Sequence, residues 1–267
     1  MDSRPKGVAG RVALVVGGFG GIGSAITAAL QQAGARVVVA GRTPAPLVGE
    51  LPVGTVQVVG EGESVAPTSY CVCDVRDPAA CRALTGEIMA RHGRLDIVID
   101  CSNPKVTGVA GRFGNADPDR FGAFLEATPG ALFNLCHATL PLLSAGGGGS
   151  ILAFASDAGN VSGPNQALVG ASRAAVMMFV RSLALEVASD GVRINCISTS
   201  FVPDTPVYAE VMAGPTASRA RRAAQRAGLG LPVAADIAEV ALFLCGPGAS
   251  HLTGQVVSVN GGLSAGL

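Results

Sequence analysis

A chain of 267 residues can bury a large core, and 49% hydrophobic against 14% charged residues excludes a disordered polymer. Nineteen basic and nineteen acidic residues cancel, so bulk charge argues for neither a nucleic-acid nor an anionic-membrane partner. Ala, Val and Gly produce the mean hydropathy of +0.45; no uninterrupted apolar run reaches the roughly 18 residues of a spanning helix, and Met-Asp-Ser-Arg-Pro-Lys-Gly leads into no apolar signal region, which predicts a cytoplasmic location.

Apolar β-branched runs alternate with Ala-rich helical stretches from end to end. Residues 11–16 read as a buried strand, 22–33 as a helix and 36–40 as the next strand. A polar, Gly- and Pro-rich excursion over 43–68 follows, with a short strand candidate at 55–59. Further strands are expected at 69–73, 97–100, 150–155, 193–198 and 255–259, with helices between most of them. Strands apolar on both faces and linked through helices predict one parallel sheet covered on each side. That is a doubly wound, Rossmann-type α/β fold, a single domain over 1–267. The seven cysteines are scattered. Cys71 and Cys73, two apart on a strand, are expected to face opposite ways and to form neither a disulfide nor a zinc knuckle. No metal site is expected.

In such a sheet the ligand lies outside the carboxyl ends of the strands. The first strand runs into Val16-Gly17-Gly18-Phe19-Gly20-Gly21-Ile22-Gly23, which opens a helix. A pyrophosphate must approach backbone N–H groups there, and side chains would block it. Gly17, Gly18, Phe19, Gly21, Ile22 and Gly23 are therefore candidate nucleotide contacts. The second strand ends in Gly41-Arg42-Thr43 with no carboxylate to grip a ribose 2′-hydroxyl. Arg42 and Thr43 suit a 2′-phosphate, so NADP(H) is expected over NAD(H); Arg42 as a solvated loop cation is the plainer alternative. Asp74-Val75, after the next strand, can meet an adenine edge or simply cap a turn.

Together these residues resemble the short-chain dehydrogenase/reductase family over nearly the whole chain. Gly17, Gly21 and Gly23 match its glycine motif, and Asp74-Val75 its post-strand pair. Ser156 stands where the catalytic serine does, and Gly191-Val-Arg-Ile-Asn195 precedes the nicotinamide loop. Asp236-Ile237, Thr253-Gly254-Gln255 and Asn260-Gly261-Gly262 match the C-terminal signature. The resemblance implies a nicotinamide-dependent oxidoreductase acting on a small molecule, with Ser102, Asn103 and Arg173 also in the cofactor site. It also implies a homodimer or homotetramer through the small, apolar helices around 116–143 and 164–188.

The departures cluster where the chemistry should be. The Tyr-x-x-x-Lys pair reads Val169 and Arg173, Asn-Asn-Ala-Gly reads Asp100-Cys101-Ser102-Asn103, Pro-Gly reads Thr199-Ser200, and Thr128 or a neighbour replaces a relay asparagine. Valine carries no proton, and Arg173 can still hold ribose hydroxyls through its fork of donors. Ser156 keeps a hydroxyl that can polarise a carbonyl. Asp157, Tyr208 on the lid at 201–231, and Asp100 are the candidate substitute acids, each with a cap or loop role as its alternative. Val207, Tyr208, Val211 and Met212 suggest a small, fairly apolar carbonyl or polycyclic substrate. Three classes stay open: an atypical oxidoreductase, a non-redox dehydratase, isomerase or cyclase, and a non-catalytic nucleotide-binding or partner-stabilising protein.

Overall fold

The computed structural model describes residues 7–42, 56–59, 68–102, 106, 108–214 and 216–264. Its strands are β1 (Val12–Val16), β2 (Arg36–Gly41), β3 (Val56–Val59), β4 (Thr68–Val72), β5 (Ile97–Asp100), β6 (Gly149–Ser156), β7 (Val192–Thr199) and β8 (Val256–Ser258). The α-helices are α1 (Gly21–Gln32), α2 (Pro78–His92), α3 (Phe121–Leu125), α4 (Ala131–Ala145), α5 (Ala167–Val187), α6 (Pro206–Ala213), α7 (Ala217–Arg226) and α8 (Ala234–Cys245).

The strands form one sheet in the order β3-β4-β2-β1-β5-β6-β7-β8. β1 is Val-Ala-Leu-Val-Val with every residue buried, as a central parallel strand covered on both faces requires. Apolar side chains fill two core layers. In one, α2, α4 and α5 meet residues such as Leu14, Val98 and Ile151; in the other, α1 and α8 meet Val15, Ile99 and Leu152. Seven strands run parallel, and the expectation of a wholly parallel sheet needs one correction: β3 pairs antiparallel with β4 at the edge. The short strand candidate was right in place at 56–59, but the direction in which a strand pairs with its neighbour is invisible to local pattern.

Cys71 and Cys73 also need correcting. Both pack in the same core layer, because side chains two apart on a strand share a face. Helix starts follow local chemistry: Asp77 caps α2 by accepting the Ala79 N–H at 2.8 Å, Pro78 occupies the first helical position, and Gly93 ends the helix at φ +68°. The helical run Ala167–Asp190 is long and apolar enough to cross a membrane by length and composition, although no unbroken apolar stretch announces it. Its buried side, including Val176, Val180 and Ala184, packs into the sheet core.

Chain direction reverses its walk across the sheet between β1 and β5, which makes their carboxyl ends the switch point. Close approach of backbone defines it. Gly17, at φ +75°, donates its N–H to the Ala40 carbonyl at 2.7 Å, and a Cβ there would lie 2.9 Å from the Cys101 carbonyl oxygen.

Candidate functional site

A cleft of about 510 Å³ opens above the switch point. One wall is the loop from β1 to α1, and the ends of β2, β4, β5, β6 and β7 form its floor. The segment from Thr199 into α6 closes the remaining side.

The start of α1 is built for an anion. Gly20 offers no side-chain cap and the first turn holds no acid, unlike α2, where Asp77 caps. The Gly21, Ile22 and Gly23 N–H groups thus have no acceptor within the helix, and the macrodipole adds partial positive charge. Gly17, Phe19, Gly21, Ile22 and Gly23 line the cleft. Gly18 does not: a Cβ there would meet Val39 and Thr27 side chains at 2.8–2.9 Å, so it serves packing of the loop on β2 and α1. Gly23 is equally constrained, since its Cβ would collide with the Gly17 carbonyl. This cradle fits a dinucleotide pyrophosphate, whose nicotinamide would supply a hydride when bound.

At the far end of the cleft Arg42, Asp74, Val75 and Arg76 converge. Arg76 escaped the sequence reading. Its Nε donates to both Asp74 oxygens (3.0 and 3.1 Å) and its Nη2 reaches one of them at 2.5 Å. That hydrogen-bonded guanidinium holds the Asp74 carboxyl below the usual carboxylate range, with Arg42 adding a smaller pull. An arginine two residues after a strand-end aspartate was the available signal. Asn134 on α4 was also missed in this role: its Nδ2 donates to the Val75 and Arg76 carbonyls, fixing this wall. Tyr70 donates its hydroxyl to the Gly41 carbonyl at 3.3 Å, and its ring sits 5.1 Å from that of Phe19. Thr43 and Asn103 lie outside the described residues.

At the chemical end, Ser156, Arg173, Ser102 and Tyr208 all line the cleft. Asp157 does not join them. Its carboxylate is buried, accepting from Ser198 Oγ at 2.8 Å and Asn260 Nδ2 at 2.9 Å, so it ties β6 to β7 and the C-terminal signature. The physical reason is that β6 ends at Ser156, which takes the cleft side, and Asp157 opens a 3-10 turn that carries its carboxylate to Ser198 and Asn260. Asp100 is buried, accepts the Ser102 N–H at 3.0 Å, and supports the loop. Burial raises its carboxyl above the usual range, opposed by the Ser102 bond and by the Arg173 charge. Burial likewise pulls Arg173 down while Asp100 opposes it. Thr128 lies in a π-helical turn, Glu126–Gly130, that leads into α4; its hydroxyl is buried with no hydrogen-bond partner among the described residues.

Two glycines seat Arg173. A Cβ on Gly159 would lie 2.8 Å from the Ala174 nitrogen, and one on Gly170 would lie 2.7 Å from the Ala158 carbonyl. Only glycine lets α5 press this closely against the turn after Ser156. Val169 sits one helical turn before Arg173, half-buried, where four-residue spacing aligns the two on one face.

The lid is pinned by side chains from α6 and α7. Thr205 caps α6 and rests on Gly21, where a Cβ would lie 2.5 Å from its Cγ2. The Tyr208 ring meets Phe201 edge-on at 6.3 Å, and the Arg219 guanidinium covers Phe201 at 5.6 Å. With its amide oxygen turned toward Arg219, Gln166 at the start of α5 accepts from both terminal nitrogens.

Fold and site together define a dinucleotide-binding protein of the doubly wound α/β class, with an uncapped helix start at the switch point. Comparison with known proteins narrows the class. The family model described as Enoyl-(Acyl carrier protein) reductase matches residues 17–264. Dehydrogenase/reductase SDR family member 4 of Sus scrofa is 30% identical, covering 98% of this chain and 90% of the relative. The 3-oxoacyl-(acyl-carrier-protein) reductase FabG of Chlamydia trachomatis serovar D is 26% identical over 95% of this chain and 97% of its own length. Among solved structures, a short-chain type dehydrogenase/reductase from Mycobacterium ulcerans superposes with a TM-score of 0.83, at 25% identity, over 96% of this chain and 90% of that one. A 7α-hydroxysteroid dehydrogenase complexed with NADH and 7-oxo glycochenodeoxycholic acid gives 0.79 at 25% identity, covering 96% and 94%. The chain belongs to the short-chain dehydrogenase/reductase family, a family of oxidoreductases that bind nicotinamide cofactors.

Proposed function

We propose that this protein is an atypical cytoplasmic NADP(H)-binding oxidoreductase that reduces a small, fairly apolar carbonyl or polycyclic compound without a tyrosine acid/base. The observation that carries the cofactor assignment is the end of β2. Arg42 lines the cleft there, Gly41 leaves its side open with only the Tyr70 hydroxyl at 3.8 Å, and neither residue is acidic. A guanidinium fork matches a phosphate, and a charge-assisted pair of this kind is the strong sort of hydrogen bond.

Arg173 holds the ribose hydroxyls in this reading. Ser156 polarises the substrate carbonyl, and Tyr208 supplies the proton from the lid, since the Asp157 oxygens are already engaged. Apolar side chains at Phe154, Phe201, Val202, Val207 and Val211 make the substrate wall. The polycyclic ketone named with the hydroxysteroid dehydrogenase structure supports that substrate class; the cofactor named with it is NADH, so the 2′-phosphate preference rests on Arg42 alone. A non-redox enzyme is the second reading, favoured by one observation: no carboxylate and no tyrosine stand on the α5 face at Val169 and Arg173.

Single turnover with NADPH deuterated at the transferable position, over a panel of cyclic and polycyclic ketones, tests the proposal. Deuterium should appear in the alcohol product, slowly in the native protein. Val169→Tyr with Arg173→Lys should raise the rate by at least about tenfold, a positioned acid/base being worth about 10²–10⁴. Turnover of the panel without deuterium incorporation, or none in either protein, would contradict it.

A further inference from the structure

We propose that the recess at the amino ends of the strands, at the opposite end of the sheet from the cofactor cleft, binds the phosphate group of a small phosphorylated molecule. The recess measures about 660 Å³ against about 510 Å³ for the cleft, within the range of about 300–1,000 Å³ of small-molecule pockets. Its walls are the segments that enter β1, β5, β6, β7 and β8, with the turn after α8.

Cations dominate the lining. Arg11, Arg94, Arg193 and His251 face the recess with one carboxylate, Asp96. That carboxylate is fully engaged. Its Oδ2 accepts the Val12 N–H at 2.8 Å and the Arg94 Nε–H at 2.9 Å, and its Oδ1 accepts Arg94 Nη2 at 2.5 Å. The pair neutralises itself while it ties the entry of β5 to β1. Asp190, beside the lining residues Ala188 and Gly191, accepts from Ser144 Oγ at 3.2 Å and is not part of the wall. The charges left over are those of Arg11 and Arg193.

Arg193 has one job in the fold. Its Nη1 donates to the Leu244 and Leu252 carbonyls at 2.9 and 3.3 Å, and its Nη2 to the Gly246 carbonyl at 3.3 Å. A guanidinium has more N–H donors than these bonds use. Arg11, half-buried, makes no side-chain ion pair among the described residues. Burial lowers the pKa of Arg193, and the charge of Arg11 lowers it further. The fold gains nothing from setting these like charges together. An anion between them removes the repulsion and occupies the idle donors.

The remaining wall selects the body of the ligand. A Cβ on Gly10 or Gly147 would meet nothing within 4 Å, so bare backbone opens onto the recess there. Ser250 adds a hydroxyl, and no Phe, Tyr or Trp side chain offers a platform for a nucleobase. A compact, polar phosphate ester fits these walls better than a nucleotide.

Calorimetric titration of the full chain with glucose 6-phosphate, inorganic phosphate and glucose, at constant ionic strength and with or without saturating NADPH, tests the inference. Both phosphates should bind, glucose should not, and NADPH should leave the phosphate affinities unchanged. Arg11→Gln with His251→Gln should weaken glucose 6-phosphate by about tenfold or more, the scale of a lost hydrogen bond to a charged group. Arg11→Lys, which keeps the charge, should retain most of the affinity, and NADPH affinity and Tm should be the same in all variants. No phosphate binding by the native chain, binding abolished once NADPH fills the cleft, or undiminished binding by the Gln pair would overturn the proposal.

Discussion

Val169 and Arg173 stand one turn apart on α5, and around them the charges are rearranged rather than erased. Arg173 keeps a cation, and a buried carboxyl, Asp100, now stands where the family has an amide. This predicts a pH dependence. Burial raises the Asp100 carboxyl in the folded chain, so the unfolded chain ionises first, from about pH 3.9 upward. The folded state therefore loses stability as pH rises from there through the raised folded value, the reverse of an ion-paired surface carboxylate. Asp100→Asn keeps an acceptor for the Ser102 N–H and removes the titration. Urea unfolding across that range should show a shallower fall in stability for the variant, and identical slopes would contradict the assignment. Single residues were legible unevenly. Arg42 and Ser156 follow directly from strand ends, whereas Asp157 was nominated because it adjoins Ser156. The strand ends at Ser156, and the 3-10 turn that Asp157 opens carries its carboxylate away from the cleft to Ser198 and Asn260.

Elements whose identity is local were readable. β1 declares itself by five buried apolar residues, and the glycine run by its place between a strand and a helix. What failed were relations between elements. β3 is short, and its antiparallel direction shows only in its pairing with β4. The seating of α5 depends on Gly159 and Gly170, which in sequence look like ordinary glycines near a turn. In the folded chain they decide how closely α5 approaches the turn after Ser156. Gly170→Ala would put its Cβ 2.7 Å from the Ala158 carbonyl oxygen, a backbone atom that cannot swing aside. Overpacking of this kind costs typically about 1–3 kcal/mol. Denaturant unfolding should show that loss together with weaker nucleotide binding, because α5 carries Arg173 outward. Full stability with unchanged binding would mean that the contact between α5 and the turn after β6 is slack.

At the scale of the whole molecule, α5 is apolar beyond what the sheet covers. Met178 is 57% and Leu185 85% exposed, and on α4 Phe133 is 40% exposed with its ring 4.4 Å from that of Phe179. Exposed apolar side chains on two helices joined by a ring contact are the kind of surface that a second copy buries isologously. Light scattering at micromolar concentration should therefore report a homodimer or homotetramer, and Met178→Arg with Leu185→Glu should shift it toward monomer. A monomeric native chain would refute this. The central claim, that this frame still holds NADP(H) although its reducing tyrosine has gone, meets its most direct test in calorimetric titration of NADPH and NADH. The native chain should bind NADPH more tightly, and Arg42→Ala should weaken NADPH selectively, bringing the two cofactors together. Equal weakening of both by Arg42→Ala, or no binding of either by the native chain, would contradict the account.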